Sequence, residues 1–147
     1  MSRKPIVAVI GAGQATPSQM ENAYHIGRRI AEKGAYVLTG GLWGVMESAS
    51  HGAKDAGGEV IGILPGSLAN TANPYVDIPI VTNMGHARNM ILCHTADFFV
   101  AVGGGLGTMS EIAIALKIGK TVVSFDSPEL PGVTRLGTLE DILAFID

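Results

Sequence analysis

Short, continuous hydrophobic runs alternate with longer segments of helical period from one end of the chain to the other. Pro5–Ile10, Tyr36–Thr39, Glu59–Leu64, Ile78–Val81, Phe98–Val102 and Thr121–Phe125 read as strands. Most are apolar at successive positions, as strands covered on both faces are. Between the first two lies a helix with strong end signals: Thr16 as N-cap, Pro17 at the first helical position and Gln19 completing a capping box. Its buried face is Met20, Ala23, Gly27, Ile30 and Ala31, and Gly34 ends it. Further helices are predicted over Val45–Ala56 and Met84–Thr95, through Met109, Ile112, Ala113 and Leu116 up to Gly119, and at the end through Leu139, Ile142, Leu143 and Ile146. Pro65–Tyr75 and the two-proline stretch Asp126–Leu136 read as loops, the second over the surface.

Strict strand–helix alternation predicts an α/β fold: a single Rossmann-like, three-layer domain over residues 1–147. Its mostly parallel sheet has about six strands, with helices on both faces. In such sheets the ligand crevice lies beyond the carboxyl ends of the strands, where the winding reverses. Three glycine turns sit at strand carboxyl ends, at Gly11–Gly13, Gly40–Gly44 and Gly103–Gly107, and are expected to converge there.

Composition narrows the partners. A net charge of −3 with ten Lys and Arg offers no basic face for nucleic acid. No apolar stretch approaches the ~20 residues that span a bilayer. The single cysteine, Cys93, excludes an internal disulfide framework and a Cys-based zinc site. With no signal peptide following Met1-Ser2-Arg3-Lys4-Pro5, a cytoplasmic protein is expected. Only 16% of residues are charged, against ~25% in an ordinary domain, which points to helix faces buried in a homodimer or homotetramer.

The most informative stretch is Gly103-Gly104-Gly105-Leu106-Gly107-Thr108-Met109-Ser110-Glu111, between a buried strand and a helix. Free N–H groups and the helix dipole make such a junction an anion site, and glycine lets a phosphate approach the backbone. Thr108 and Glu111 could instead form an ordinary capping box, but that leaves four glycines unaccounted for. Thr108 and Ser110 add hydroxyl donors. Arg88 can hold either Glu111 or a phosphate oxygen. A dinucleotide site fails on detail: Gly11-Ala12-Gly13-Gln14-Ala15-Thr16 lacks the third small residue, and the second strand ends in Thr39 where a ribose-binding acid belongs. NAD is therefore not expected. His25, His51, His86 and His94 have no metal spacing, so no metal site is expected. Ser124 and Ser127 lack a nucleophile context, and Cys93 reads as a buried small hydrophobe. Trp43 can either stack on a ligand ring or close the core.

These motifs resemble a known superfamily. Gly103 to Glu111 is similar to the PGGxGTxxE motif of the Lonely Guy (LOG) proteins, once labelled lysine decarboxylases. Gly40-Gly41-Leu42-Trp43-Gly44-Val45-Met46 resembles their first glycine motif, and Arg88 matches their arginine before the fifth strand. With the converging turn at Gly11 and Gly13, the resemblance implies a ligand-binding set of Gly11, Gly13, Gly40, Gly41, Trp43, Gly44, Met46, Arg88, Asn89, Gly103, Gly104, Gly105, Gly107, Thr108 and Glu111. LOG enzymes release a cytokinin base from its riboside 5′-monophosphate, and in that reading Arg88 and Glu111 are catalytic. Several positions depart from the enzymes: Gly103 replaces the motif's Pro, Asn89 follows Arg88 where the enzymes have Lys, and Ser110 replaces a second Glu. They look closer to a sister branch, the molybdenum cofactor carrier proteins, which hold a pterin phosphate without turning it over. The resemblance thus implies a carrier for a phosphorylated purine or pterin, the molybdenum cofactor first, with a nucleoside 5′-monophosphate phosphoribohydrolase as the alternative. Pyridoxal phosphate is not expected, because Lys117 and Lys120 lie at the far end of the helix from the phosphate turn.

Overall fold

The computed structural model describes residues 3–147. Met1 and Ser2, the start of the leaderless N-terminus expected from the sequence, lie outside them. The described residues form β1 (Ile6–Gly11), α1 (Pro17–Glu32), β2 (Tyr36–Thr39), α2 (Val45–Asp55), β3 (Val60–Leu64), β4 (Ile78–Val81), α3 (Arg88–Thr95), β5 (Phe98–Val102), α4 (Leu106–Lys117), β6 (Thr121–Phe125), β7 (Thr134–Arg135) and α5 (Leu139–Ile146). All strand pairs are parallel, in the order β4-β3-β2-β1-β5-β6-β7. The chain winds outward from β1 to β4, crosses back to pair β5 with β1, then winds the other way. The Rossmann-like α/β architecture is as expected, and its switch point lies between β1 and β5.

Successive strand residues point to opposite faces, so each central strand feeds two cores. Val7 and Val9 of β1, with Val100 and Val102 of β5, pack under α1, α2 and α5. Ala8, Ile10, Phe99 and Ala101 pack under α3 and α4. The α1 start is as the sequence predicts. Gln19 N–H donates to Thr16 Oγ1, and Thr16 N–H donates to Gln19 Oε1, each at 3.1 Å. Glycines set how closely α1 and α2 approach: a Cβ on Gly27 would lie 1.9 Å from the Ala49 carbonyl oxygen, and one on Gly52 1.9 Å from that of Tyr24.

The structure corrects two expectations and decides one open alternative. The loop Asp126–Leu136 contains a short seventh strand, β7, paired through Val123↔Thr134 and Ser124↔Arg135. The helix expected from Met84 begins at Arg88, after a 3-10 turn over Gly85–Ala87. The helix after β5 begins at Leu106 with Gly105 as its N-cap and no side-chain cap, so Thr108 and Glu111 form no capping box.

Candidate functional site

The three glycine turns meet at the switch point. Gly11 ends β1 at φ +155°, where a Cβ would stand 2.0 Å from the Val102 carbonyl oxygen. Ala12 N–H donates to Val102 O at 3.2 Å, and Val45 N–H donates to Ala12 O at 2.9 Å, which ties the second turn to the first. Gly103 N–H donates to Phe125 O at 3.2 Å, and Ser127 Oγ donates to Gly103 O at 2.8 Å, fixing the third turn. Between them lies a cleft of about 220 Å³. Gly11, Ala12 and Gly13 form one wall, Gly40 and Met46 another, and Gly105, Gly107, Thr108 and Glu111 a third. His86, Arg88 and Asn89 close the remaining side.

The sequence-predicted residues divide into those at the cleft and those that shape it. Gly41, Gly44, Gly103 and Gly104 do not line it but set the turns that do. Each has positive φ, and a Cβ would meet Leu64 from Gly41, the Ala12 carbonyl from Gly44, Gln19 from Gly103 and the Thr108 side chain from Gly104. Trp43 does neither: it is 51% exposed and away from the cleft wall, so it does not close the core. Its turn is pinned from outside by Asn73, which donates through N–H to Gly41 O at 2.9 Å and through Nδ2 to Leu42 O at 2.8 Å. Sequence reasoning left out Ile10, Ala12 and His86, which also line the cleft. His86 had a signal, its place two residues before Arg88; Ala12 had its place between the two glycines of the first turn.

The cleft brings open hydrogen-bond donors and a cation together beside an acid. At the uncapped start of α4 the first-turn N–H groups have no side-chain acceptor, and the Thr108 hydroxyl sits among them. Arg88 Nη1 donates to Asn89 Oδ1, and Arg88 Nη2 lies where a Gly40 Cβ would come within 2.7 Å. Arg88 Nε is buried without an acceptor, an open donor in a wall that holds a cation. Burial lowers the Arg88 pKa from its ordinary value, and the charge of Glu111 opposes that shift. Glu111 is 9% exposed, and among the described residues no donor reaches its carboxyl and no ion pair joins it to Arg88. Burial pushes the Glu111 carboxyl up to about 7, against the pull of Arg88. Cys93 is buried beside it, its Sγ donating to Glu111 O at 3.4 Å, and burial raises the thiol to about 12. It behaves as the inert packing residue expected. His51 is held in an aromatic stack on Tyr75, with centroids 4.5 Å apart, and takes no part in the site.

The cleft lies at the switch point of a Rossmann-like parallel sheet, and the chain belongs to the SLOG cluster4 family, whose model matches residues 4–143. Within the wider LOG superfamily it resembles two solved structures over nearly its whole length. One is the molybdenum cofactor binding protein of Rippkaea orientalis (43% identity, TM-score 0.93, 99% of this chain and 97% of that one). Another is the molybdenum cofactor carrier protein of Chlamydomonas reinhardtii (38% identity, TM-score 0.90, 98% and 96%). The cytokinin riboside 5′-monophosphate phosphoribohydrolase LOG of Oryza sativa is 35% identical over 99 residues, which is 65% of this chain but only 40% of the rice protein. Among the described residues no helix is long and apolar enough to cross a membrane.

Proposed function

We propose that this chain is a binding and carrier protein for a phosphorylated heterocycle, with the molybdenum cofactor as the leading cargo. The observation that carries this reading is the uncapped start of α4, where open N–H groups and Thr108 face Arg88 across a cleft at the sheet's switch point. That set suits the phosphate of a pterin or purine ligand: the helix start and Thr108 supply neutral donors, and Arg88 supplies charge and a buried, unused Nε–H. Support also comes from the likeness to cofactor-binding structures, which spans those proteins almost end to end. The working protein is read as a single cytoplasmic domain of residues 1–147, assembled as a homodimer or homotetramer. Light scattering at micromolar concentration is expected to give a multiple of 15.2 kDa.

The second reading, a nucleoside 5′-monophosphate phosphoribohydrolase, is favoured by Glu111 and Arg88 facing the same cleft. Cleaving an N-glycosidic bond builds positive charge on the ribose, which an ionised carboxylate stabilises. A carboxyl whose pKa burial raises to about 7 is poorly ionised for that task at neutral pH. Two measurements on the purified chain separate the readings. The carrier reading expects a pterin-like absorbance and mass in whatever copurifies from a cofactor-making host, and no free base from AMP or N6-substituted AMP. Steady release of base that disappears in Glu111→Ala would replace the carrier reading with the enzyme.

A further inference from the structure

Asn89 and Glu111 together carry an inference beyond phosphate binding, one that rests on the cleft being a phosphate-monoester site. Arg88 and Glu111 line the same cleft yet form no ion pair. The reason is local. Asn89, 3% exposed at the start of α3, accepts a hydrogen bond from Arg88 Nη1. The other arm of the guanidinium is packed against Gly40, where even a Cβ would be too close. Glu111, a buried residue whose carboxyl has no donor, lines the cleft one turn beyond Thr108. It is the sixth residue of α4, past the reach of the helix dipole, which fades within the first turn.

We infer that Asn89 is a positioning residue that holds Arg88 off the Glu111 carboxyl, so that Glu111 meets an anionic ligand as an acid and donates a hydrogen bond to it. The groups around Glu111 fit this role. Arg88 is the one charge that acts on its carboxyl. Their shared cleft is otherwise lined by His86, neutral polar groups such as Asn89 and Thr108, and apolar or glycine positions such as Ile10 and Met46. The neutral Cys93 thiol donates to the Glu111 backbone carbonyl. An ionised Glu111 beside a phosphate dianion would be repelled, whereas a protonated one adds a donor to those of the α4 start, Thr108 and Arg88. Above neutral pH, loading the ligand therefore draws one proton from solvent onto Glu111, and raising the pH favours release.

The test begins with the ligand-free full chain. Carbon-13 NMR follows the glutamate carboxyls through a pH titration, with the Glu111 signal assigned by its loss in Glu111→Gln. The wild-type midpoint is expected at about 7. In Asn89→Ala or the milder Asn89→Ser, Arg88 is free to reach Glu111 and the midpoint should fall by about one pH unit or more. In Asn89→Asp, which keeps the acceptor for Arg88, it should not fall. An ordinary glutamate midpoint in the wild type, or no fall in a folded Asn89→Ala or Asn89→Ser protein, overturns the inference. Ribose 5-phosphate, which has no N-glycosidic bond to cleave, is then the binding probe. Its affinity should drop about fivefold between about pH 6 and about pH 8 in the wild type and not in Glu111→Gln. Wild-type affinity that is flat or rising with pH also overturns the inference. No binding at either pH would instead defeat the phosphate reading of the cleft, and the carboxyl titration still decides the role of Asn89.

Discussion

Replacing Gly27 by alanine is expected to remove ~3 kcal/mol of folding stability, and replacing it by leucine to leave no folded protein. The new Cβ would lie 1.9 Å from the Ala49 carbonyl oxygen, 2.7 Å from its carbon and 2.9 Å from its Cα. These are backbone atoms of α2, so no rotamer change relieves the overlap; α1 and α2 must separate. Separation opens the layer in which Ala23, Ile26, Ile30, Val45, Ala49 and Ala53 are packed without exposure. A domain is typically stable by only ~5–15 kcal/mol, so the loss is a large fraction of the whole. Gly52→Ala should behave alike, because its Cβ would meet the Tyr24 carbonyl oxygen at 1.9 Å. Two other glycines calibrate the series. Gly57 has φ +76° with open space around it, so alanine there carries only backbone strain of ~1 kcal/mol. Gly137 has neither strain nor neighbours within 4 Å, and Gly137→Ala should be neutral or slightly stabilising. Urea denaturation midpoints order the four variants. A Gly27→Ala midpoint equal to that of Gly137→Ala would mean that the helices do not meet as closely as described.

Much of this architecture could be read from the chain because its signals are local. The capping box at Thr16 and Gln19, the continuous apolar strands and the glycine turns at strand ends each involve residues close in sequence. Parallel winding then forces the turns onto one edge of the sheet, which is why the sequence alone places the crevice. The features that escaped depend on contacts between distant segments. β7 is two exposed residues in a loop with two prolines, and only its pairing to β6 makes it a strand. Thr-x-x-Glu at 108–111 looks like a cap, yet the tie of Gly103 to Phe125 and Ser127 starts the helix at Leu106 and places Thr108 inside it. The same shift sends Glu111 inward. Spacing offered Arg88 as the partner of Glu111. In the structure Arg88 Nη1 donates to Asn89 Oδ1 instead, a pairing between sequence neighbours that only the α3 start defines.

That placement of Glu111 makes stability depend on pH in a predictable direction. Its carboxyl has an ordinary value of 4.5 and a folded-state value of about 7, raised by burial and only partly offset by Arg88. Below the ordinary value both the folded and unfolded chains carry the proton, and the buried neutral acid is tolerated. As pH rises from 4.5 towards 7 the unfolded chain releases its proton while the folded chain retains it, so stability falls across this window. Above the folded value the native protein holds an unpaired buried carboxylate. The loss levels off there at ~3 kcal/mol, since each pH unit between the two values costs ~1.4 kcal/mol. Glu111→Gln keeps the shape and cannot ionise, so its advantage over the wild type should grow from nearly nothing at acid pH to ~3 kcal/mol above neutrality. Near this chain length that corresponds to a melting temperature higher by about 10 °C. A cleft built to receive an anion beside an acid thus costs the empty protein stability where the acid ionises, and a residue that only packs would show no such slope. Parallel melting curves of the two proteins from acid to alkaline pH would sink this account if the difference between them stayed constant.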